Sequence, residues 1–271
     1  MPELPEVEST ARFLRSRILG ARIESIEVRW KRTVTTHTAS EFVRLLNGKL
    51  IAEVGRRGKF IQITLQPGAK LLFAHMRMSG SFDVVSKDMP DDLHDRVVLD
   101  LSNGKQLRFC DPRKFGRFYL ADTSDVVVGK LGIEPLEEDF TVARLAALLR
   151  GQKGAIKPFL LRQDKIAGLG NIYVDEALWY ARVHPLRRTG SLREPEIELL
   201  HRGIQEILSE AIAKAGTDFG DGVVYGGGYT PRVYGRDGEP CGRCERTIKK
   251  MVVGQRGTHI CASCQPTPRR R

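Results

Sequence analysis

Four cysteines near the end of the chain, Cys241, Cys244, Cys261 and Cys264, form two C-x2-C pairs separated by sixteen residues. Two tight turns at that spacing can aim four thiolates at one tetrahedral centre, the arrangement that suits Zn²⁺. Four sulfur ligands leave the metal no open position, so its expected part is structural. Between the pairs runs a basic segment, Lys249-Lys250 through Gly254-Gln255-Arg256-Gly257. It would place Arg256 on a hairpin tip held by the metal. The alternative is two disulfides in a secreted module, but such frameworks usually go with short chains, and this chain has 271 residues.

The second reactive feature is Met1-Pro2-Glu3. Removal of Met1 would leave Pro2 as a secondary amine. An α-amino group has a pKa of about 7.7–8.0 against about 10.4 for lysine, so much more of it is neutral at pH 7. Attack on a sugar carbon that can become an aldehyde would give a Schiff base, necessarily a charged iminium with its own electron sink. Glu3 is adjacent and Glu6 lies one helical turn on; either could serve as general acid or base. The plainer alternative is a terminal proline followed by a glutamate that favours a helix N-terminus.

These groups need a frame. Residues 5–19 read as a helix, with Val7, Ala11, Leu14 and Ile18 at spacings of four, three and four and Gly20 as its stop. Strand signals dominate from there to about residue 120, including a hairpin, Val97–Leu101 and Gln106–Phe109, around Ser102-Asn103-Gly104. They point to a β-sandwich or barrel with the first helix packed on it. Helical patterns follow at 141–150, 158–163, 172–180 and 194–215, the last with a wide apolar stripe. Residues 216–240 hold eight glycines and read as a mobile loop.

The 44 Lys and Arg against 33 Asp and Glu give a formal charge of +11, a footprint for polyanions and above all nucleic acid. No apolar run is long enough to span a membrane, and the start lacks the basic and apolar regions of a signal peptide. Reduced thiols and a cytoplasmic location are expected.

Four segments, in order, resemble the bacterial formamidopyrimidine-DNA glycosylase family: Met-Pro-Glu-Leu-Pro-Glu-Val-Glu at 1–8, Asp111-Pro112-Arg113-Lys114-Phe115-Gly116, Gly168 to Leu178, and Val233 through the cysteine quartet. Leu4 separates the chain from the related endonuclease VIII branch, which usually has Gly there. The resemblance implies an α+β, multidomain fold. An N-terminal β-sandwich with flanking helices would occupy 1–137. A helical DNA-binding domain of helix–two-turns–helix type would occupy 138–216, a flexible lesion-capping loop and linker 217–240, a zinc-finger β-hairpin 241–265, and a disordered basic tail 266–271.

It further implies a monomeric, nucleoid-associated enzyme that excises oxidised purines from double-stranded DNA and cuts the abasic strand by β,δ-elimination. Pro2 would be the nucleophile, Glu3 the acid that opens the sugar ring, and Glu6 a base-recognition residue. Lys59 would act near the phosphate and the elimination chemistry, and Arg256 would grip phosphates by its rigid fork of donors. Asn171, Lys153, Lys157, His75 and His94 fall at DNA-contact positions. Met78, Arg113 and Phe115 would fill the stack vacated by the flipped nucleotide, with Arg113 facing the orphaned cytosine.

Two departures stand out. His75-Met76-Arg77-Met78 has Met-Arg where many members have Leu-Gly, which adds a charge beside the wedge methionine. Residues 217–232 look shortened and glycine-rich, so lesion preference carries over least. Two rivals stay open: a glycosylase for oxidised pyrimidines, and a non-catalytic zinc-ribbon DNA-binding protein that would leave Pro2 and Glu3 idle.

Overall fold

The computed structural model describes residues 1–217 and 227–267. Residues 218–226 of the expected capping loop and linker, and the last four residues of the tail, lie outside the described residues. The rest forms two compact units, 1–130 and 131–217 with 228–267. The chain changes unit at Lys130/Leu131, seven residues before the boundary expected from the sequence, because Gly132 and Ile133 donate to the carbonyls of Gln163 and Lys165.

The first unit is an antiparallel β-sandwich. Helix α1 (Leu4–Ile18) leads into β1 (Ile23–Val28), helix α2 (Ala39–Leu46), β2 (Leu50–Arg57), β3 (Phe60–Gln66), β4 (Lys70–His75), β5 (Ser81–Ser86), β6 (Asp95–Leu101), β7 (Lys105–Cys110), β8 (Arg117–Ala121) and a short helix α3 (Asp125–Val128). One sheet has the order β1-β6-β7-β5 and the other β2-β3-β4-β8. Alternate residues of β3, Ile61, Ile63 and Leu65, point inward, as a half-buried strand requires. They join Val97, Leu99 and Leu107 of the other sheet and Val7, Ala11, Leu14 and Ile18 of α1 in one core. Helix α2 was not expected. Thr38 and Glu41 cap it reciprocally, and Phe42 and Leu46 anchor it in the core.

The second unit is helical: α4 (Val142–Leu149), α5 (Ile156–Leu160), α6 (Asn171–Tyr180) and α7 (Glu194–Ala213), followed by the hairpin β9 (Lys249–Val253) and β10 (Arg256–Ile260). Residues 172–179 of α6 are all buried, so this helix is the pivot of the unit. Gly203 of α7 lets it approach α6 closely; a Cβ there would come within 2.7 Å of the Tyr180 ring. Residues 228–240, expected to be mobile, are held. Glu176 of α6 accepts from the backbone amides of Arg232, Val233 and Tyr234 and from the Tyr229 hydroxyl at 2.7–3.1 Å. Burial pushes the Glu176 carboxyl up and those four donors pull it back. Tyr229 and Val233 are buried in consequence.

Candidate functional site

The chain opens with a buried head. Met1 is exposed, whereas Pro2, Glu3 and Glu6 are buried at the N-terminus of α1. The amide of Glu3 donates to Glu6 Oε2 at 2.8 Å, which fixes Glu6 one turn from Pro2. Glu6 therefore caps the helix, a structural part beside the base-recognition part expected of it.

Lys59 and His75 meet at one end of the second sheet. A two-residue turn joins β2 to β3, where Gly58 takes φ +56° ahead of Lys59. The β3–β4 register then sets Phe60 against His75, with the rings edge to face at 4.8 Å. Both Lys59 and His75 are buried. Burial, followed by the charges of Arg77 and Lys59, lowers the His75 pKa from 6.5 to about 3. Its Nδ1 accepts from the Arg77 amide at 3.0 Å, so the neutral ring carries its proton on Nε2 and can donate from there.

The sign of the pH dependence follows. Between pH 6.5 and about 3 the unfolded chain protonates His75 and the folded chain does not, so stability present above pH 6.5 is lost as the pH falls. Urea unfolding of His75→Gln should show a dependence on pH shallower by about 1.4 kcal/mol per pH unit across that window.

Met78 and Phe115 are among the few large apolar side chains left exposed, at 43% and 46%. They stand on two turns, 76–80 and 111–116, which the sheet brings together. The Arg113 guanidinium lies 4.9 Å from the centre of the Phe115 ring. Lys153 is exposed, and His94 is half-buried with Nδ1 3.1 Å from the Arg96 guanidinium.

In the second unit the four cysteine sulfurs lie within 4.8 Å of one another, with separations of 3.4 Å and 4.0 Å among them. Ligands about 2.3 Å from a tetrahedral zinc would be about 3.8 Å apart, so the quartet fits one Zn²⁺. Trp179 Nε1 of α6 donates to Cys241 Sγ at 3.4 Å, and Trp179, Val233 and Ile248 pack with Cys241 and Cys261. The chain holds one structural zinc. Above it, Gly254 and Gln255 form the two-residue turn between β9 and β10, both with positive φ. Gly254 also has no room for a Cβ, which would meet Pro158 at 2.8 Å. Arg256 follows the turn and is exposed.

Lys157 departs from expectation. It is fully buried, pairs with Asp175 Oδ1 at 2.6 Å and donates to the Gly257 carbonyl at 2.9 Å. An ammonium so enclosed does not face a phosphate; it fixes the backbone next to Arg256. Asn171, the first residue of α6, donates to the same carbonyl at 2.8 Å, and Asp175 Oδ2 accepts the His259 amide. Asp175, Glu176 and Trp179 were not singled out as positioning residues from the sequence. Their signal was two adjacent acids inside an otherwise apolar helix, since buried carboxylates need partners. Lys157→Met should cost about 3–5 kcal/mol, because it strands a buried carboxylate. Thermal unfolding measures the loss, and an unchanged midpoint would contradict the pairing.

Residues 1–118 match the formamidopyrimidine-DNA glycosylase N-terminal domain, 131–221 the formamidopyrimidine-DNA glycosylase H2TH domain, and 238–267 the zinc finger found in FPG and IleRS. The formamidopyrimidine-DNA glycosylase of Roseiflexus sp. (strain RS-1) is 48% identical over 98% of this chain and all of that protein. That of Herpetosiphon aurantiacus is 43% identical with the same coverage. Among solved structures, the Lactococcus lactis enzyme is 40% identical with a TM-score of 0.91, covering 98% of this chain and all of that one. It has been solved with DNA containing N7-benzyl-Fapy-dG, an abasic site or an oxidised pyrimidine. With its β-sandwich, its helical unit and its zinc hairpin each matched in order, the chain belongs to the formamidopyrimidine-DNA glycosylase family.

Proposed function

We propose that this chain repairs oxidised purines through Pro2. The protein is a base-excision DNA glycosylase with abasic-site lyase activity, and DNA is its partner. The observation that carries the residue assignment is the buried Pro2-Glu3-Glu6 head behind an exposed Met1. Once Met1 is removed, the Pro2 nitrogen attacks C1′. The damaged base leaves with the bonding electrons and takes up a proton, the attacking nitrogen gives up its own, and the sugar ring opens as O4′ takes a proton from Glu3. The product is an iminium between Pro2 and C1′. Loss of a C2′ proton then expels the 3′ phosphate, and a second elimination expels the 5′ phosphate.

Lys59, and His75 donating from Nε2, bind phosphate beside this chemistry; Arg256, Asn171 and Lys153 hold the backbone elsewhere. Met78, Arg113 and Phe115 occupy the vacated stack. The enzyme works as a monomer on chromosomal DNA in the cytoplasm.

A second substrate class has one observation in its favour: the Lactococcus lactis relative binds DNA with an oxidised pyrimidine. Borohydride trapping on 8-oxoguanine:C and thymine-glycol duplexes decides between them. Preferential trapping on 8-oxoguanine:C is expected, and preference for thymine glycol would overturn the purine assignment. A protein that binds both duplexes but is trapped on neither would overturn the enzyme reading.

A further inference from the structure

We propose that Asp111 is a positioning residue that locks the Met78 turn and the Arg113–Phe115 turn into one preassembled wedge. The inference rests on the assignment of those side chains to the vacated stack. Asp111 is almost completely buried. Its Oδ1 accepts from the Ser79 hydroxyl at 2.6 Å, next to Met78, and from the Arg113 amide at 3.2 Å. Its Oδ2 accepts from the Gly116 amide at 2.7 Å, next to Phe115. One carboxylate thus holds both turns through bonds to a charged acceptor, the stronger kind.

Its backbone extends the tie. The Asp111 amide donates to the His94 carbonyl at 2.9 Å. The Asp111 carbonyl accepts from Arg96 Nε at 2.8 Å, and the same guanidinium reaches the Leu93 carbonyl and His94 Nδ1. The segment carrying His94 is fixed to the same point.

A second, independent observation concerns packing. Both turns rest on one ring, Phe109. A Cβ at Gly80 would come within 2.7 Å of that ring, and one at Gly116 within 2.3 Å. Each turn also places a cationic residue in the left-handed region just before its exposed apolar side chain: Arg77 at φ +58° before Met78, and Lys114 at φ +61° before Phe115. Neither is glycine, so each conformation is costly and needs outside support. Ties from Asp111 and seating on Phe109 supply it. Side chains that must enter a base stack together gain by being held in that arrangement beforehand. Arg113 faces the partner base from the same anchor, so the anchor also sets partner-base discrimination.

Ser79→Ala cuts only the tie to the Met78 turn, and Asp111→Asn removes the charge at nearly constant volume. Each is measured beside Met78→Ala and Phe115→Ala. The readouts are stopped-flow fluorescence of 2-aminopurine next to 8-oxoguanine, single-turnover excision opposite C and opposite A, and borohydride trapping on a single-stranded abasic site, which needs no wedge. Asp111→Asn should slow duplex excision by about 10²-fold, the cost of misplacing a positioned group, and narrow the preference for C over A. Its trapping on the single strand should stay within about twofold of wild type. Ser79→Ala should slow the fluorescence rise, and combining it with Phe115→Ala should be non-additive by more than about twofold, the limit for independent sites.

Wild-type fluorescence and partner preference in folded Ser79→Ala, with strict additivity, would overturn the inference even if Asp111→Asn failed to fold. If Met78→Ala and Phe115→Ala were also silent, the wedge assignment itself would be wrong.

Discussion

Protein that retains Met1 should form no borohydride-trapped adduct with 8-oxoguanine DNA or with a preformed abasic site, and its excision rate should fall by at least about 10³-fold. With Met1 attached, the Pro2 nitrogen is a tertiary amide without a basic lone pair, and no other change need be made to the chain. Met1 is exposed while Pro2 is buried, so the cleavable residue is accessible and the nucleophile is seated. Glu3→Gln gives the contrasting result. It keeps the amine and removes the acid, so excision should drop by about 10²–10⁴-fold. The open-chain aldehyde of an abasic site, which needs no help to open, should still be trapped. Full trapping by the Met1-bearing protein would move the nucleophile to another amine, with Lys59 the first candidate in this unit.

The residues whose chemistry is their own were legible in the sequence. A proline directly behind Met1, the neighbouring carboxylate and four thiols at metal spacing are residue types that need no fold to announce themselves. Elements with long local patterns were legible too: α1 begins and ends within one residue of the expected helix, and the β6–β7 turn sits at Asn103-Gly104. Helix α2 was missed although its capping box, Thr38 to Glu41, is present in the sequence. Eight residues with two inward apolar positions were too short a signal against the surrounding strands.

What could not be read was pairing at a distance. Glycine content marks 228–240 as loop, yet Glu176, more than fifty residues earlier, holds it in place. Lys157 and Lys153 are four residues apart and equally cationic; the 2.6 Å ion pair with Asp175 and the bond to the Gly257 carbonyl make one of them internal. Asp111 likewise lies inside a recognised motif, but its ties to Ser79 and His94 depend on how two sheets fold.

Removal of zinc should separate binding from chemistry. A chelated protein, or Cys244→Ser, should bind duplex DNA at least about 10²-fold more weakly, with a salt dependence shallower by about one for each phosphate no longer neutralised. Zinc contributes about 10–16 kcal/mol in isolated fingers. The cluster around the quartet buries Trp179, Val233 and Ile248 besides Cys241 and Cys261, and the hairpin itself buries Val253 and Ile260; one such aliphatic side chain contributes about 1.5–3 kcal/mol, well below the metal. Without the metal, β9 and β10 should lose their register, and the Gly257 carbonyl its hold on Lys157 and Asn171. Arg256 would then lose its placement.

The sandwich has its own core, built from α1, α2 and the two sheets, and contains none of the finger residues. Its signal in far-ultraviolet circular dichroism should therefore persist. At protein concentrations high enough to offset the weaker binding, Pro2 should still be trapped on an abasic strand. Unchanged affinity and salt slope in protein shown by metal analysis to be zinc-free would mean that Arg256 takes no part in holding DNA. Loss of trapping at saturating protein would instead mean that the finger is needed for the chemistry at Pro2 as well as for the grip.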